Sequence, residues 1–272
     1  MKRKFKEHHL FEFMDLPWLN KSLRQVLREI LDFGNSAPFR SYYTFVAKQV
    51  VQVCEKWNCT EVYELGAGTA PMSRHIRQQP NAKSLRLLPC DLNPDLEIFH
   101  QLKSGSNGQI DPIFTPVDYT TDFMVNRNQQ NSLLLFSATL HHLKFDERTN
   151  LISHLLPNCR GIVISEPLHK SLSSMVFVFL SLLPAILLPL AHIRHPGRMK
   201  RFLWCWLIPV GPLFFLWDGL ISAWREWSVQ ERNQALFVDL QLNPKDVSIQ
   251  RTLFSEIIFI QNPRFNLKMT DQ

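Results

Sequence analysis

The chain has 272 residues, 45% of them hydrophobic, so it can bury a substantial core and is not a disordered protein. Its formal net charge of +6 at pH 7 indicates a negatively charged partner: a membrane surface, a nucleic acid or an anionic cofactor. The five cysteines show neither C-x-x-C spacing nor paired histidines, so we predict no disulfide framework, no zinc site and a reducing compartment. The basic start, Met1 to Lys4, lacks a following apolar run and predicts no signal peptide, so we expect the chain in the cytoplasm.

The first part of the chain has the spacing of amphipathic helices. Apolar residues recur three or four positions apart between Leu23 and Leu31. A helix-breaking stretch from Asn35 to Pro38 interrupts this pattern, which resumes over 42–53. We therefore predict an N-terminal helical segment over 1–56.

From about residue 60, short apolar runs alternate with helical stretches. This alternation is typical of a parallel sheet with right-handed crossovers. The predicted strands are 60–65, 85–90, 113–117, 132–136 and 161–165, and the clearest helices are 71–78 and 146–155.

The C-terminal part predicts two further strands, 247–253 and 256–261, joined by a short link. Such a link makes an antiparallel hairpin. The fold class is therefore α/β, a mostly parallel sheet of about seven strands with a helical insertion between the fifth and sixth. We divide it into a ligand-binding core over 57–170, an apolar hairpin over 171–227, and a helix with the strand hairpin over 228–272.

The loop after the first strand, from Glu64 to Thr69, is the strongest motif. Gly66 and Gly68 let the backbone approach a ligand closely, and Pro71 suits the first turn of the following helix. A tight strand-to-helix turn that binds nothing would also explain these residues. The loop alone therefore indicates only a nucleotide-type site.

Acidic residues end the next two predicted strands. Asp91 follows the second, where an acid can bind ribose hydroxyls, and Asp118 with Tyr119 follows the third, where they could hold an adenine. A dinucleotide site is the alternative, but its fingerprint requires a third glycine where this chain has Pro71. A cationic sulfonium cofactor also favours a carboxylate such as Glu64 nearby, whereas a pyrophosphate does not.

At this point the sequence resembles the class I S-adenosylmethionine-dependent methyltransferases, whose fold is Rossmann-like. The likeness covers about 62–168 and the C-terminal hairpin, with Ala70 where the family often has a third glycine. It implies S-adenosylmethionine as cofactor and places the segment 136–143 beside the transferred methyl group. The implied cofactor-binding residues are Glu64, Gly66, Ala67 and Gly68 for the methionine part, Asp91 for the ribose, Asp118 and Tyr119 for the adenine, and Ser137 after the fourth strand.

The chain also resembles a bacterial subgroup of methyltransferases with unassigned substrate. The likeness lies in Leu10-Phe11-Glu12-Phe13 with Leu16-Pro17-Trp18, and in Leu207-Ile208-Pro209 followed by Trp217-Asp218-Gly219, Ser222 and Arg225. It implies that the apolar insertion belongs to the subgroup, and it indicates no substrate.

Methyl transfer needs a base only if the acceptor must lose a proton early. The candidates are His141, His142, Asp218 and Glu166, although at least one histidine could instead pack or bind backbone. On a helix, Asp218, Ser222 and Arg225 share one face. Asp218 could orient an acceptor, or form a structural ion pair with Arg225 or Arg201.

The insertion begins with 172–193, which contains no Asp, Glu, Lys or Arg and as one helix would be about 33 Å long. The second uncharged stretch, 202–217, is interrupted by Pro209 and Pro212. Because both ends return to one sheet, we predict a hairpin that enters only the cytoplasmic leaflet; a soluble lid or dimer interface is the alternative. The predicted anchors are Arg194, Arg198, Lys200, Arg201, Trp204 and Trp206.

The sequence thus predicts methyl transfer from S-adenosylmethionine to a small or lipid-like hydrophobic acceptor at the inner face of the cell membrane. An RNA methyltransferase is the enzyme alternative, but the clustered charges lie between apolar segments and do not alternate with exposed aromatics, so nucleic acid is not favoured. A non-catalytic methyltransferase-like assembly factor is the other alternative. The presence of both Glu64 and Asp91 argues against it.

Overall fold

The computed structural model describes residues 10–36, 40–121, 130–190 and 197–266. The chain divides into two compact units. The helical unit consists of Met1–Ser41 and Leu168–Glu226, and the sheet unit consists of Tyr42–Pro167 and Trp227–Gln272.

The sheet unit is built on one six-stranded sheet with the order β2-β1-β3-β4-β6-β5. The first four strands are parallel, while β6 is antiparallel to both β4 and β5. The central strands read as continuous apolar runs because both of their faces are buried. The strands are β1 Glu61–Leu65, β2 Arg86–Cys90, β3 Ser132–Ser137, β4 Gly161–Glu166, β5 Val247–Arg251 and β6 Glu256–Gln261.

The helices of the sheet unit begin where the sequence supplies a start signal. Pro71 occupies the first turn of α3, and the Asp95 carboxylate accepts the Ile98 amide at the start of α4. The Glu147 carboxylate reaches back to the Lys144 amide at the start of α5. The helices are α2 Arg40–Trp57, α3 Pro71–Arg77, α4 Leu96–Gly105, α5 Phe145–Leu155, α10 Val229–Asn233 and α11 Pro263–Asn266.

The strand predicted at 113–117 is wrong, while the other six predicted strands are present with ends that differ by at most two residues. The segment runs beside β2, where the Asp111 and Ile113 amides donate to the Leu87 and Pro89 carbonyls. The next contact joins the Val117 amide to the Asp91 carbonyl, four residues further along this segment but only two along β2, and a bend lies at Thr115. This shift in register prevents a regular ladder.

In the helical unit the first helix packs on helices of the insertion, while the domain bounds 1–56 and 171–227 stay a prediction. Leu23, Val26, Leu27 and Ile30 of the first helix pack against residues of the insertion, including Ala185 and Cys205, in one buried cluster. The apolar face of that helix must be buried, and residues of the insertion bury it. The helices are α1 Lys21–Ser36, α6 Leu172–Leu180, α7 Leu182–Leu187, α8 Arg198–Phe202 and α9 Val210–Arg225.

The insertion contains shorter helices than predicted. The single helix expected over 172–193 is replaced by α6 and α7, and its last three residues lie outside the described part. Pro184 in the first turn of α7 has no amide to bond backwards, which favours a break before it. No single described helix is long and apolar enough to cross a membrane. The helices Arg198–Leu207 and Val210–Arg225 are together long and apolar enough, but they are bent by 75° relative to each other.

Candidate functional site

The loop between β1 and α3 adopts the backbone conformation that its glycines allow. Gly66 and Gly68 have φ values of +66° and +53°. Ala70, which stands where the family often has a third glycine, also has a positive φ of +54°. An alanine in this region costs about 1 kcal/mol, which explains the family's preference for glycine there.

The two glycines differ in their surroundings. A Cβ on Gly66 would lie 2.4 Å from Cγ2 of Thr139, so the loop after β3 packs directly against the glycine loop. Among the described residues other than its two chain neighbours, none has a heavy atom within 4 Å of a Cβ on Gly68. The loop is therefore closed on the Thr139 side and open at Gly68, as a backbone cradle for a ligand must be.

Asp91 fixes the glycine loop from the end of β2. One oxygen of its carboxylate accepts the Gly68 amide at 2.8 Å, and the other accepts the Asn93 amide at 2.8 Å. The side chain remains partly exposed. Asp91 thus holds the loop in place and still presents a carboxylate edge to solvent.

Glu64 lies beneath the loop with only 1% of its surface exposed. Its carboxylate accepts the backbone amides of Met72 and Ser73 at 3.2 and 2.8 Å, and the Ser73 hydroxyl at 2.5 Å. Burial raises the pKa of Glu64 to about 7 although these hydrogen bonds lower it. Glu64 therefore holds the start of α3, and its contact with a cofactor stays a prediction.

Asp118 and Tyr119 lie at the same sheet edge as Asp91. The Val117 amide donates to the Asp91 carbonyl at 2.9 Å, which places the following two residues beside the end of β2. Asp118 is exposed and accepts the Thr120 amide at 2.9 Å, while the Tyr119 ring meets Phe136 edge to face. Both residues therefore lie at the edge of the sheet where β2 ends.

The segment after β3 carries His141 and His142 in a short 3-10 turn, Leu140–His142. Nδ1 of His141 lies 3.1 Å from Oε2 of Glu166, and Oε1 of Glu166 accepts the Leu140 amide at 3.1 Å. Both side chains are buried. The His142 ring stacks at a tilt on that of His141, with 4.4 Å between their centroids.

Three contacts of this edge were not predicted. Thr139 donates to the Ser137 carbonyl at 2.8 Å and packs on Gly66, which ties the predicted site residue Ser137 to the glycine loop. Arg148 of α5 donates to the carbonyl of His141 at 3.0 Å. The Tyr42 hydroxyl lies 2.7 Å from that of Ser165 at the end of β4. No motif marks such partners, because their positions follow from the fold.

Asp218, the third predicted catalytic residue, belongs to the helical unit. Its carboxylate is 7% exposed and accepts the amides of Phe13 and Met14 at 2.6 and 3.1 Å. Burial raises its pKa to about 7, while those two hydrogen bonds lower it. Asp218 therefore holds the N-terminal segment on α9, and a catalytic role for it stays a prediction.

The ion pairs predicted for Asp218 are wrong. Arg225 instead bonds Glu12 at 2.9 Å, and Arg201 bonds Glu29 at 2.6 Å. A carboxylate that already accepts two backbone amides has less need of a cation. Ser222 of α9 also donates to the same oxygen of Glu12, at 3.1 Å.

The predicted membrane anchors fall into three groups. Arg198 and Lys200 are exposed, and Trp206 is partly exposed with its ring nitrogen donating to the Ile186 carbonyl. Arg201 is buried in its pair with Glu29, and Trp204 donates to Ser22 and packs on the core of the helical unit, so the anchor role of these two stays a prediction. Arg194 lies outside the described residues.

Comparison with solved structures identifies the fold. The chain is similar to the plantazolicin methyltransferase BpumL in complex with SAH, with a TM-score of 0.56 and 13% identity over 92% of this chain and 94% of that chain. BpumL in complex with a monoazolic desmethylPZN analog and SAH gives a TM-score of 0.52 and 13% identity over 89% and 98%. The magnesium protoporphyrin IX methyltransferase ChlM from Synechocystis PCC 6803 with bound SAH gives 0.46 and 13% over 90% and 88%.

Neither models of protein families nor curated protein sequences give a match. At 13% identity the likeness to BpumL concerns the fold, which in this chain is that of an S-adenosylmethionine-dependent methyltransferase.

Proposed function

We propose that the chain transfers a methyl group from S-adenosylmethionine to a small or lipid-like hydrophobic acceptor. One observation carries the proposal: in a methyltransferase fold, Asp91 ties down a glycine loop that is open at Gly68, with Asp118 and Tyr119 beside it. That edge is where open α/β sheets bind ligands.

The residues present suit each part of this cofactor. The open backbone at Gly66 to Gly68 would hold the methionine part, and the exposed edge of Asp91 would accept the ribose hydroxyls. Asp118 would accept the adenine amino group, with Tyr119 against the ring. A buried carboxyl at Glu64 favours a positively charged ligand nearby.

When bound, S-adenosylmethionine supplies an activated methyl group on a sulfonium. The protein's main task in such an in-line displacement is to orient the acceptor and exclude water. The segment with His141 and His142 follows β3 and packs through Thr139 on the glycine loop, which supports the proposal that it contacts the acceptor.

Calorimetry with S-adenosylmethionine and with SAH tests the cofactor. We expect the wild type to bind both and Asp118→Asn to bind each about tenfold more weakly, since one charge-assisted hydrogen bond is weakened. Asp146→Asn, an exposed acid on α5, is the matched control and should bind like the wild type. No binding by the wild type would refute the proposed cofactor.

The hydrophobic acceptor and the membrane location are supported by the surface of the insertion. Large apolar side chains of α6 to α9 are exposed, including Leu172 at 77% and Met199 at 78%. The whole stretch 172–217 contains no Asp or Glu, and Arg198 and Lys200 are exposed within it. Such a patch suits the inner face of the cell membrane, where anionic lipids attract basic residues.

Flotation with vesicles of phosphatidylcholine, with and without phosphatidylglycerol, tests this location. We expect the full chain to float with the anionic vesicles and Arg198→Glu/Lys200→Glu to float several-fold less. Lys48→Glu/Lys56→Glu, at two exposed lysines of α2, makes the same change in net charge and is the control. Equal flotation of both variants would count against the basic anchor, and no flotation of the wild type would refute the membrane contact.

A further inference from the structure

We infer that the N-terminal segment 10–18 enters the headgroup region of an anionic membrane and is a second contact with it, besides the insertion. The inference rests on the proposed membrane contact and adds a part of the chain that reaches the lipid. It concerns two sequence motifs that the proposed methyl transfer does not explain, Leu10 to Trp18 and Trp217 to Arg225. In the helical unit these motifs bond each other, for example where Asp218 accepts the Phe13 amide.

The carbonyl groups of the segment are bonded to the protein although most of the segment is irregular. Phe13–Asp15 forms a 3-10 turn, and the residues around it lie in neither helix nor strand. Arg225 donates to the Leu10 carbonyl at 3.0 Å, and Arg24 of α1 donates to the Met14 carbonyl at 2.6 Å. The three carbonyls between them accept the ring nitrogen of Trp217 and the amides of Asp15 and Leu16. Five consecutive carbonyls therefore have donors within the protein.

This saturation suits surroundings with little water. An irregular segment on a surface in contact with water can leave some of its backbone groups to solvent. At a membrane, backbone groups must find their partners inside the protein. The segment meets this requirement partly with charge, since the Arg225 side chain is only 7% exposed where it bonds the Leu10 carbonyl. Withdrawing a guanidinium from water is costly, so its use here favours a segment that water does not reach freely.

The same segment exposes large apolar side chains. Trp18 is 70% exposed and Phe11 is 47% exposed. The Phe11 ring lies 5.9 Å from that of Trp217, and Leu213, one turn earlier on α9, is also exposed. The exposed apolar surface thus continues from the segment onto the insertion. Tryptophan is enriched at membrane interfaces because its ring is apolar while its N–H is polar.

The charges of the helical unit favour lipid over protein as the partner. Among the described residues of this unit, the exposed charged side chains are the cations Lys21, Arg40, Arg198 and Lys200 and the anion Asp15. Anionic lipid headgroups attract such a surface. A second copy of the chain would bring like charges together, which opposes docking.

A fluorophore that reports the polarity of its surroundings, such as nitrobenzoxadiazole, tests the contact site by site. The five native cysteines are buried, so a cysteine at an exposed position can be labelled selectively in the full chain. The labelled variants are Trp18→Cys, Met199→Cys in the insertion, and the control Ser104→Cys at an exposed position of α4. Each is mixed with vesicles of phosphatidylcholine and phosphatidylglycerol.

We expect the emission at positions 18 and 199 to shift to the blue and rise about twofold or more, with position 104 unchanged. A response at position 199 without one at position 18 would overturn the inference and leave the proposed membrane contact standing. No response at either position would refute that contact as well. An equal response at position 104 would mean non-specific adsorption and would also overturn the inference.

Flotation of unlabelled variants measures how much the segment contributes. We expect Phe11→Ser/Trp18→Ser to float about tenfold less with the same vesicles, because two exposed apolar side chains are lost. Phe45→Ser/Leu253→Ser removes two exposed apolar side chains of the sheet unit and should float like the wild type. Equal flotation of the two variants would contradict the inference.

Sedimentation without vesicles tests the other occupant of this surface, a second copy of the chain. We expect the same sedimentation for the wild type and for Phe11→Ser/Trp18→Ser. A wild-type dimer that this variant dissociates would assign the surface to a protein interface and would overturn the inference.

Discussion

Two buried carboxylates, one in each unit, are built alike. Glu64 in the sheet unit accepts the amides of Met72 and Ser73, and Asp218 in the helical unit accepts those of Phe13 and Met14. Burial raises the pKa of both to about 7. Their neighbours along the chain differ: Glu64 immediately precedes the glycine loop, whereas Asp218 bonds a segment more than 200 positions away.

The comparison shows that a buried, hydrogen-bonded carboxylate with a raised pKa does not by itself identify a catalytic group. Each of these carboxylates satisfies backbone donors at the start of a helical turn, as a capping residue does. The surroundings decide the function. Glu64 holds the start of the helix that follows the glycine loop, and Asp218 holds the N-terminal segment on α9.

Removing each carboxylate should separate the two roles. Glu64→Ala leaves two buried amides without acceptors and should lower the free energy of unfolding by about 4 kcal/mol and abolish S-adenosylmethionine binding. Asp218→Ala should cost about 3 kcal/mol and leave that binding unchanged. Urea unfolding and calorimetry measure both. Equal effects on cofactor binding would erase the distinction.

Hydrogen exchange shows which part of the chain Asp218→Ala destabilises. In Asp218→Ala the amides of Phe13 and Met14 should lose protection, because their acceptor is gone. The amides of Met72 and Ser73 serve as the internal reference and should exchange as in the wild type.

The glycine loop above Glu64 gives the next largest effect. Gly66→Ala places a Cβ 2.4 Å from Thr139 and should cost about 3 kcal/mol, whereas Gly68→Ala meets only backbone strain and should cost about 1 kcal/mol. Thermal unfolding measures the difference. Thr139→Ser removes the clashing methyl group, so it should restore part of the loss in Gly66→Ala but none in Gly68→Ala.

The raised pKa of Glu64 predicts a pH dependence. Between the usual value of 4.5 and about 7, the folded chain holds a proton on Glu64 that the unfolded chain has lost. The free energy of unfolding should therefore fall as pH rises through this window, by on the order of 2 kcal/mol. Glu64→Gln should reduce this slope in urea unfolding; a wild-type slope retained in full would assign it to other groups.

The smallest effect on stability is expected from Asp15, the residue that follows Met14. Asp15 is half exposed and lies 3.4 Å from Arg225, so Asp15→Ala should change the free energy of unfolding by about 0.5 kcal/mol or less. If Asp15→Ala lowered the free energy of unfolding as much as Asp218→Ala, then Glu12, Asp15 and Asp218 together, and not Asp218 alone, would hold the N-terminal segment on α9.

The sequence predicted the sheet well where strands are buried on both faces, because such strands are unbroken apolar runs. It failed at 113–117, where the apolar run is real but a bend at Thr115 shifts the register with β2. It also overestimated the helix at 172–193, since composition does not show where an apolar helix breaks.

The candidate site was predicted in part. The glycine loop and Asp91 follow from local patterns, and the structure places them in contact. The pairing of His141 with Glu166 and the packing of Thr139 on Gly66 depend on strand order, which local patterns do not encode. The amide partners of Asp218 are remote in sequence, so local patterns could not show them, and a catalytic role for Asp218 stays a prediction.

The position of β6 between β4 and β5 has a consequence for synthesis of the chain. As the ribosome releases β4, one side of this buried strand has no neighbour until the entire insertion and β5 have been made and β6 follows. An apolar strand edge is thus exposed while the most hydrophobic part of the protein emerges. Nascent chains stalled before residue 256 should depend on chaperones more than the finished protein does.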